Sequence, residues 1–194
     1  MTSAPASGDP GSLRCFLALL PDAASRDALQ RCRGAAAVSP AGARGTRWVE
    51  AAALHLTLRF LGAATAAQVE YLKHMLPTLA RGLPALSARR CAIWPNRARP
   101  RLVVLEFDAP DALVALAGEC ETLAQKAGFE AEPRAFKAHL TLARLRPGCM
   151  PEIPPAPAPS LAFESLALMA SDLRGGGASY RSLASVALPV PAKT

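Results

Sequence analysis

Apolar residues along this chain come in short blocks, some alternating with polar positions and some recurring every three or four residues. Residues 13–20 form a compact, mostly apolar run ended by Pro21-Asp22 and predict a strand, after which 23–33 has helical composition. The stretch 34–45 is small and flexible in composition. Trp48-Val49 then leads to a second strand over 54–61, which Gly62 is expected to stop. Val69, Leu72, Leu76 and Leu79 recur at helical spacing and predict a helix over 66–81 with Gly82 as its C-cap. Strands follow over 85–93 and 102–107 with a loop at 94–100 between them. A helix opened by Pro110-Asp111 then carries Leu113, Leu116, Cys120 and Leu123 on one face, with Gly128 as its stop. A strand at 137–145 precedes six prolines within 147–159, an extended or turn-rich connector because proline removes donors and blocks helix. Two last strands, near 161–170 and 180–188, are joined by Gly175-Gly176-Gly177. This order is α+β without a regular βαβ alternation, and the glycine run leads into a strand. A phosphate-binding loop opening a helix is therefore not expected.

With 194 residues, 51% hydrophobic and 19% charged, the chain has the size of one ordinary domain and is too apolar to be disordered. Its longest apolar runs are strand-sized, well short of the ~18 residues a membrane span needs, so no membrane partner is expected. Residues 1–12 are polar and rich in proline and glycine, and read as a disordered tail rather than a secretory signal. Five cysteines without CxxC spacing argue against a disulfide framework and a zinc knuckle, and with them comes the expectation of a cytoplasmic location. The net charge of +7, carried mostly by arginine, fits a phosphate or nucleic-acid partner, although genomic base bias accounts for it equally well.

One tetrad changes this picture. His55-Leu56-Thr57-Leu58 recurs as His139-Leu140-Thr141-Leu142, 84 positions later, in a chain with three histidines and eight threonines. Each copy lies in an apolar strand, the mark of an internal duplication. Strand alternation puts His55 and Thr57 on one face and Leu56, Leu58 and Phe60 on the other, and treats His139 and Thr141 in the same way. If the repeats pack about a pseudo-two-fold axis, two imidazoles and two hydroxyls converge on one ligand. Such a set suits a phosphodiester: one imidazole protonates the leaving oxygen, the other activates the attacking group, and the hydroxyls hold the non-bridging oxygens. No metal or other cofactor is required, and the motif lacks ligands at zinc spacing.

The residues RWVEAAALHLTLRFLG (47–62) and FKAHLTLAR (136–144) resemble the 2H phosphoesterases, and within them the LigT-like RNA 2′,3′-cyclic phosphodiesterases, also known as 2′-5′ RNA ligases. The opening Arg14-Cys15-Phe16-Leu17-Ala18, the segment 166–171 and Gly177-Ala178-Ser179-Tyr180 are similar to the family's first strand and closing pair. The resemblance implies a bilobal α+β fold over 13–190, a single domain with two related antiparallel sheets flanked by helices and one motif in each half, lining a groove. It implies hydrolysis of 2′,3′-cyclic phosphate ends on RNA or nucleotides to a 2′-phosphomonoester, with His55 as acid and His139 as base; no obligate protein partner is evident in the sequence, and a monomer is expected. From sequence alone a near-symmetric pair can exchange these roles. Two other substrates suit the same chemistry, ADP-ribose 1″,2″-cyclic phosphate and a 2′-5′ linkage, and a phosphate-gripping module without turnover is the reading from another class.

Other positions carry open alternatives. Arg59 shares the parity of His55 and Thr57, so it either meets a phosphate in the groove or ends a solvated strand. Arg144 has the opposite parity to His139, yet arginine is common there in the family; it either reaches the site or pairs with a carboxylate on the far side. The segment 89–101 holds five arginines around Trp94, as an RNA-facing loop or as a basic hairpin whose indole caps the core. Phe16, Phe136 and Tyr180 are aromatic candidates for the groove or the core, and His74 is given no role.

Overall fold

The alternation of apolar and polar positions folds into one antiparallel sheet with helices on one side. The computed structural model describes residues 13–37 (backbone alone for 32–37), 45–149, 151, 160–172 and 179–189. The expected tail 1–12, most of the proline tract, the glycine turn 175–177 and much of 34–45 lie outside them.

In chain order the elements are β1 (Leu13–Pro21), α1 (Ala23–Ala37), β2 (Thr46–Trp48), β3 (Leu56–Ala64), α2 (Ala66–Met75), β4 (Leu86–Asn96), β5 (Arg99–Phe107), α3 (Asp111–Lys126), β6 (His139–Leu145), β7 (Ser160–Leu161), β8 (Phe163–Asp172) and β9 (Ser179–Ala187). Helix α2 starts on a capping box between Thr65 and Gln68 and stops early, because Pro77 turns the continuation into a 3-10 turn over Leu76–Leu79. Gly82 is therefore not its cap. Gly62 does not stop β3 either: at φ +74 it sits beside a bulge in the β1 pairing, and the strand runs on to Ala64. The loop expected at 94–100 is a two-residue turn, since β4 and β5 pair as far as Asn96 and Arg99, and Asn96 Oδ1 accepts from the Ala98 and Arg99 amides.

The sheet order is β7-β4-β5-β6-β3-β1-β8-β9, with β2 added to β6. Each motif strand stands at the inner edge of a four-stranded half, and in each half the neighbouring strand, a helix and the motif strand follow in that order, β1-α1-β3 (with β2 between the last two) and β5-α3-β6. The expectation of two separate sheets is thus corrected. The α+β class holds, but β3 and β6 join the halves into one curled sheet through the single pair Leu56↔Leu140. Both leucines are completely buried in the main core, which fills the space between the sheet and the helices. A smaller cluster of Phe16, Ala18, Ala167 and Met169 lies on the opposite face of the sheet, with Tyr180 packed against it. None of the described helices is long and apolar enough to cross a membrane.

Candidate active site

The face of the sheet turned away from the helices carries both tetrads. Ala18 pairs with Thr57 and Val104 with Thr141, whereas Leu19 pairs with Leu56 and Leu105 with Leu140 in the core. So far the alternation argument holds. It then fails at the same place in both copies, because each strand skips one residue at the last leucine of the tetrad: Leu58 opposite β1 and Leu142 opposite β5. A bulge adds a residue on one strand and reverses every later side chain.

That reversal decides both arginines. Arg59 pairs with core Leu17, and it is 7% exposed. Its Nε donates to Glu121 on α3, and its two terminal nitrogens to the carbonyls of Phe60 and Glu130. The sequence expectation put a phosphate-binding guanidinium here; all three of its nitrogens are engaged in tying β3 to α3 and the loop that follows, while the residue borders the cavity shared by Thr57 and His139. Phe60, expected on the core face, is instead 51% exposed and meets Phe16 at 6.1 Å between ring centroids. Arg144 moves the other way. It pairs with Leu102 on the groove face, is exposed, and donates from Nη2 to the Tyr180 hydroxyl at 2.8 Å.

The two histidines are held alike at the backbone. His55 Nδ1 lies 2.7 Å from the Ala53 carbonyl, and His139 Nδ1 lies 2.8 Å from the Lys137 carbonyl, two residues upstream in each case. A carbonyl only accepts, so in the neutral ring Nδ1 carries the proton and Nε2 keeps the lone pair. Among the described residues neither Nε2 nor either threonine hydroxyl has a hydrogen-bond partner, leaving all four groups to a ligand. His139 is close enough for its charge to be felt at His55.

Their surroundings differ. His55 lies against Phe16 (4.8 Å) and edge-on to Tyr180 (4.9 Å), near the Arg144 guanidinium. His139 lies against the Trp94 indole at 4.3 Å, and Trp94 Nε1 donates to Glu106 at 2.8 Å. Glu106 also accepts from Arg90 at 2.7 Å and faces His139 across the β5–β6 pairing. Burial pushes both imidazoles below their ordinary range. For His55 the Ala53 carbonyl opposes this, while Arg144 and His139 add to it. For His139 the Lys137 carbonyl and Glu106 oppose it. The Phe16 and Tyr180 candidates thus pack against His55 as well as in the smaller core cluster, and Trp94 packs against His139. Glu106 was missed by the sequence reading, although it is the one carboxylate in the apolar run of β5.

Two cavities flank the pair. One of about 530 Å³ is walled by Thr57, Phe60, Trp94, Phe136 and His139; the other, about 370 Å³, by Arg47, Trp48, Ala53, Arg144 and Tyr180. Each is large enough for a nucleoside-sized ligand. Among the described residues no three His, Cys, Asp or Glu side chains are grouped to hold a metal ion. His74 is exposed at the end of α2, away from this face.

The chain is similar to known proteins at three levels. A family model described as LigT like phosphoesterase matches residues 20–104. The RNA 2′,3′-cyclic phosphodiesterase of Bacillus subtilis is 32% identical over 100 residues, which is 50% of this chain and 55% of that protein. Among solved structures, TT0787 of Thermus thermophilus superposes with a TM-score of 0.75 at 28% identity, covering 91% of this chain and 98% of that one. LigT of E. coli complexed with 3′-AMP does so with a TM-score of 0.73 at 27% identity, with the same coverage.

Proposed function

Because the chain belongs to the LigT-like phosphoesterases of the 2H family, we propose that it hydrolyses 2′,3′-cyclic phosphate ends of RNA or nucleotides to a 2′-phosphomonoester. One observation carries this reading: two imidazoles, each with Nδ1 tied to a carbonyl, turn unpartnered Nε2 atoms to one face beside two free threonine hydroxyls. One Nε2 takes a proton from water as it attacks phosphorus. The other gives a proton to the 3′-oxygen as its bond to phosphorus breaks. Following the family resemblance, His139 is the base and His55 the acid. Thr57 and Thr141 donate to the non-bridging oxygens, and Arg144, tethered to Tyr180, balances their charge. The 3′-AMP complex of E. coli LigT is in keeping with a nucleotide in this groove.

The direct test is incubation with a 2′,3′-cyclic nucleotide in excess EDTA, with the product followed by phosphorus NMR. Only the 2′-monoester is expected to appear. A mixture with the 3′-monoester, or no turnover until a divalent metal is added, overturns the reading.

The pH dependence follows from the same geometry. Turnover requires one neutral and one protonated ring, and both imidazoles are held below their ordinary range. The bell-shaped profile of kcat/KM is therefore expected on the acid side of the usual imidazole value of ~6.5, with activity falling as pH rises through neutrality. Glu106→Gln removes a carboxylate that favours protonated His139 and leaves Trp94 with a weaker acceptor. The limb belonging to His139 is expected to move further to acid, with kcat reduced more than KM is raised. An unmoved limb would show that Glu106 does not act on His139.

A further inference from the structure

Of the five arginines at 89–101, Arg89 and Arg90 border a concavity that adjoins the one at His139, and Arg97, Arg99 and Arg101 lie further along the same hairpin. All five lie exposed on the β4–β5 hairpin. Arg90 is held by Glu106. Among the described residues Arg89, Arg97, Arg99 and Arg101 have no carboxylate within ion-pairing distance, whereas Arg26, Arg59, Arg81 and Arg134 do. Four solvated guanidinia on one hairpin repel each other, a cost that an anion spanning them would relieve.

The same hairpin forms one side of a third concavity, about 700 Å³, that includes Arg89, Arg90, Ile93 and Pro95. Trp94, Phe136 and Lys137 line both this trough and the cavity at His139, so they form a ridge between the two. The Lys137 ammonium lies 6.0 Å from the indole centroid, adding a cation to the ridge. Two carboxylates also border the trough: Glu106, already committed to Arg90 and Trp94, and Asp108.

An RNA ending in a 2′,3′-cyclic phosphate continues from the 5′-oxygen of its last nucleoside, so its body must leave the groove over one rim. We infer that the trough and the β4–β5 hairpin bind the single-stranded RNA body upstream of the reacting end. This rests on the function proposed above and narrows it, from cyclic phosphates in general to oligonucleotide ends. The ridge at Trp94 separates the terminal nucleoside from the preceding one, and the unpaired arginines beyond it take backbone phosphates. Binding of this kind is insensitive to base sequence and strongly sensitive to salt.

The test compares a six-nucleotide RNA carrying a 2′,3′-cyclic phosphate end with the corresponding cyclic mononucleotide. At low salt the oligonucleotide is expected to have a kcat/KM about tenfold higher or more, an advantage that shrinks with a log–log salt slope of about −2 to −3 if three or four phosphates are met. Charge reversal at Arg97, Arg99 and Arg101 together, or Arg89→Glu alone, should remove most of that advantage and leave mononucleotide hydrolysis within about twofold. If the triple variant does not fold, the single Arg→Gln replacements should each lower the slope by about 0.7. Fluorescence anisotropy with a labelled oligonucleotide ending in a 3′-phosphate reads binding without turnover. Arginine-dependent binding in a protein that hydrolyses neither substrate would sink the proposed activity and keep this inference. Equal kcat/KM for the two substrates together with binding indifferent to the arginines would sink this inference alone.

Discussion

Alanine in place of His55 or His139 is expected to lower kcat on a 2′,3′-cyclic nucleotide by roughly 10²- to 10⁴-fold, with little change in melting temperature. Each ring is only half-buried, and the strand that holds it is fixed by core leucines on its other face. The double variant should be scarcely worse than either single one, because acid and base act in the same displacement and their effects do not add. A phosphodiester whose leaving group is p-nitrophenolate separates the roles, since that group departs without protonation. The variant lacking the acid should regain most of its rate on it, and the variant lacking the base should not. With the family's assignment, His55→Ala is the one rescued. Rescue of His139→Ala instead would exchange the two roles, and near-normal turnover of the cyclic nucleotide by either variant would end the two-histidine mechanism.

Arg59→Ala is expected to act on stability and not on substrate binding. Removing the guanidinium leaves the Glu121 carboxylate and the carbonyls of Phe60 and Glu130 without their donor in a site closed to most solvent. Losing one partner of a largely buried pair costs about 3 kcal/mol. For a chain of this size that amounts to a fall of about 6–12 °C in melting temperature, readable by calorimetry. KM below the transition should stay close to the parent's. A variant that melts like the parent but has a raised KM would restore the phosphate-binding role that parity alone suggested.

The contrast between these two substitutions marks where the sequence stopped being legible. The duplicated tetrad, its strands and the sharing of one face by histidine and threonine all followed from the period of a strand, and Leu56↔Leu140 keeps that period at the seam. Past Thr57 and Thr141 the same rule misled, because a bulge at Leu58 and Leu142 has no mark in composition and inverts whatever follows. It exchanged the expected faces of Arg59 and Phe60 and put Arg144 opposite Leu102 on the groove face. Pairings between distant strands were equally out of reach. Tyr180 near His55 depends on β9 joining β8 and β8 joining β1, and Glu106 beside His139 depends on the β5–β6 register. Pro77 was a local signal that ought to have ended the helix at 75, and the helical spacing of Leu76 and Leu79 overrode it.

The seam of one leucine pair carries a consequence for how such a protein departs from symmetry. Two identical protomers meeting across that line would be bound to give both rings the same neighbours, and with them the same proton affinity. Covalent linkage of the halves lifts that constraint. One ring has come to sit by a guanidinium and the other by a carboxylate, so unlike duties can be divided between twins while their carbonyl tethers stay the same.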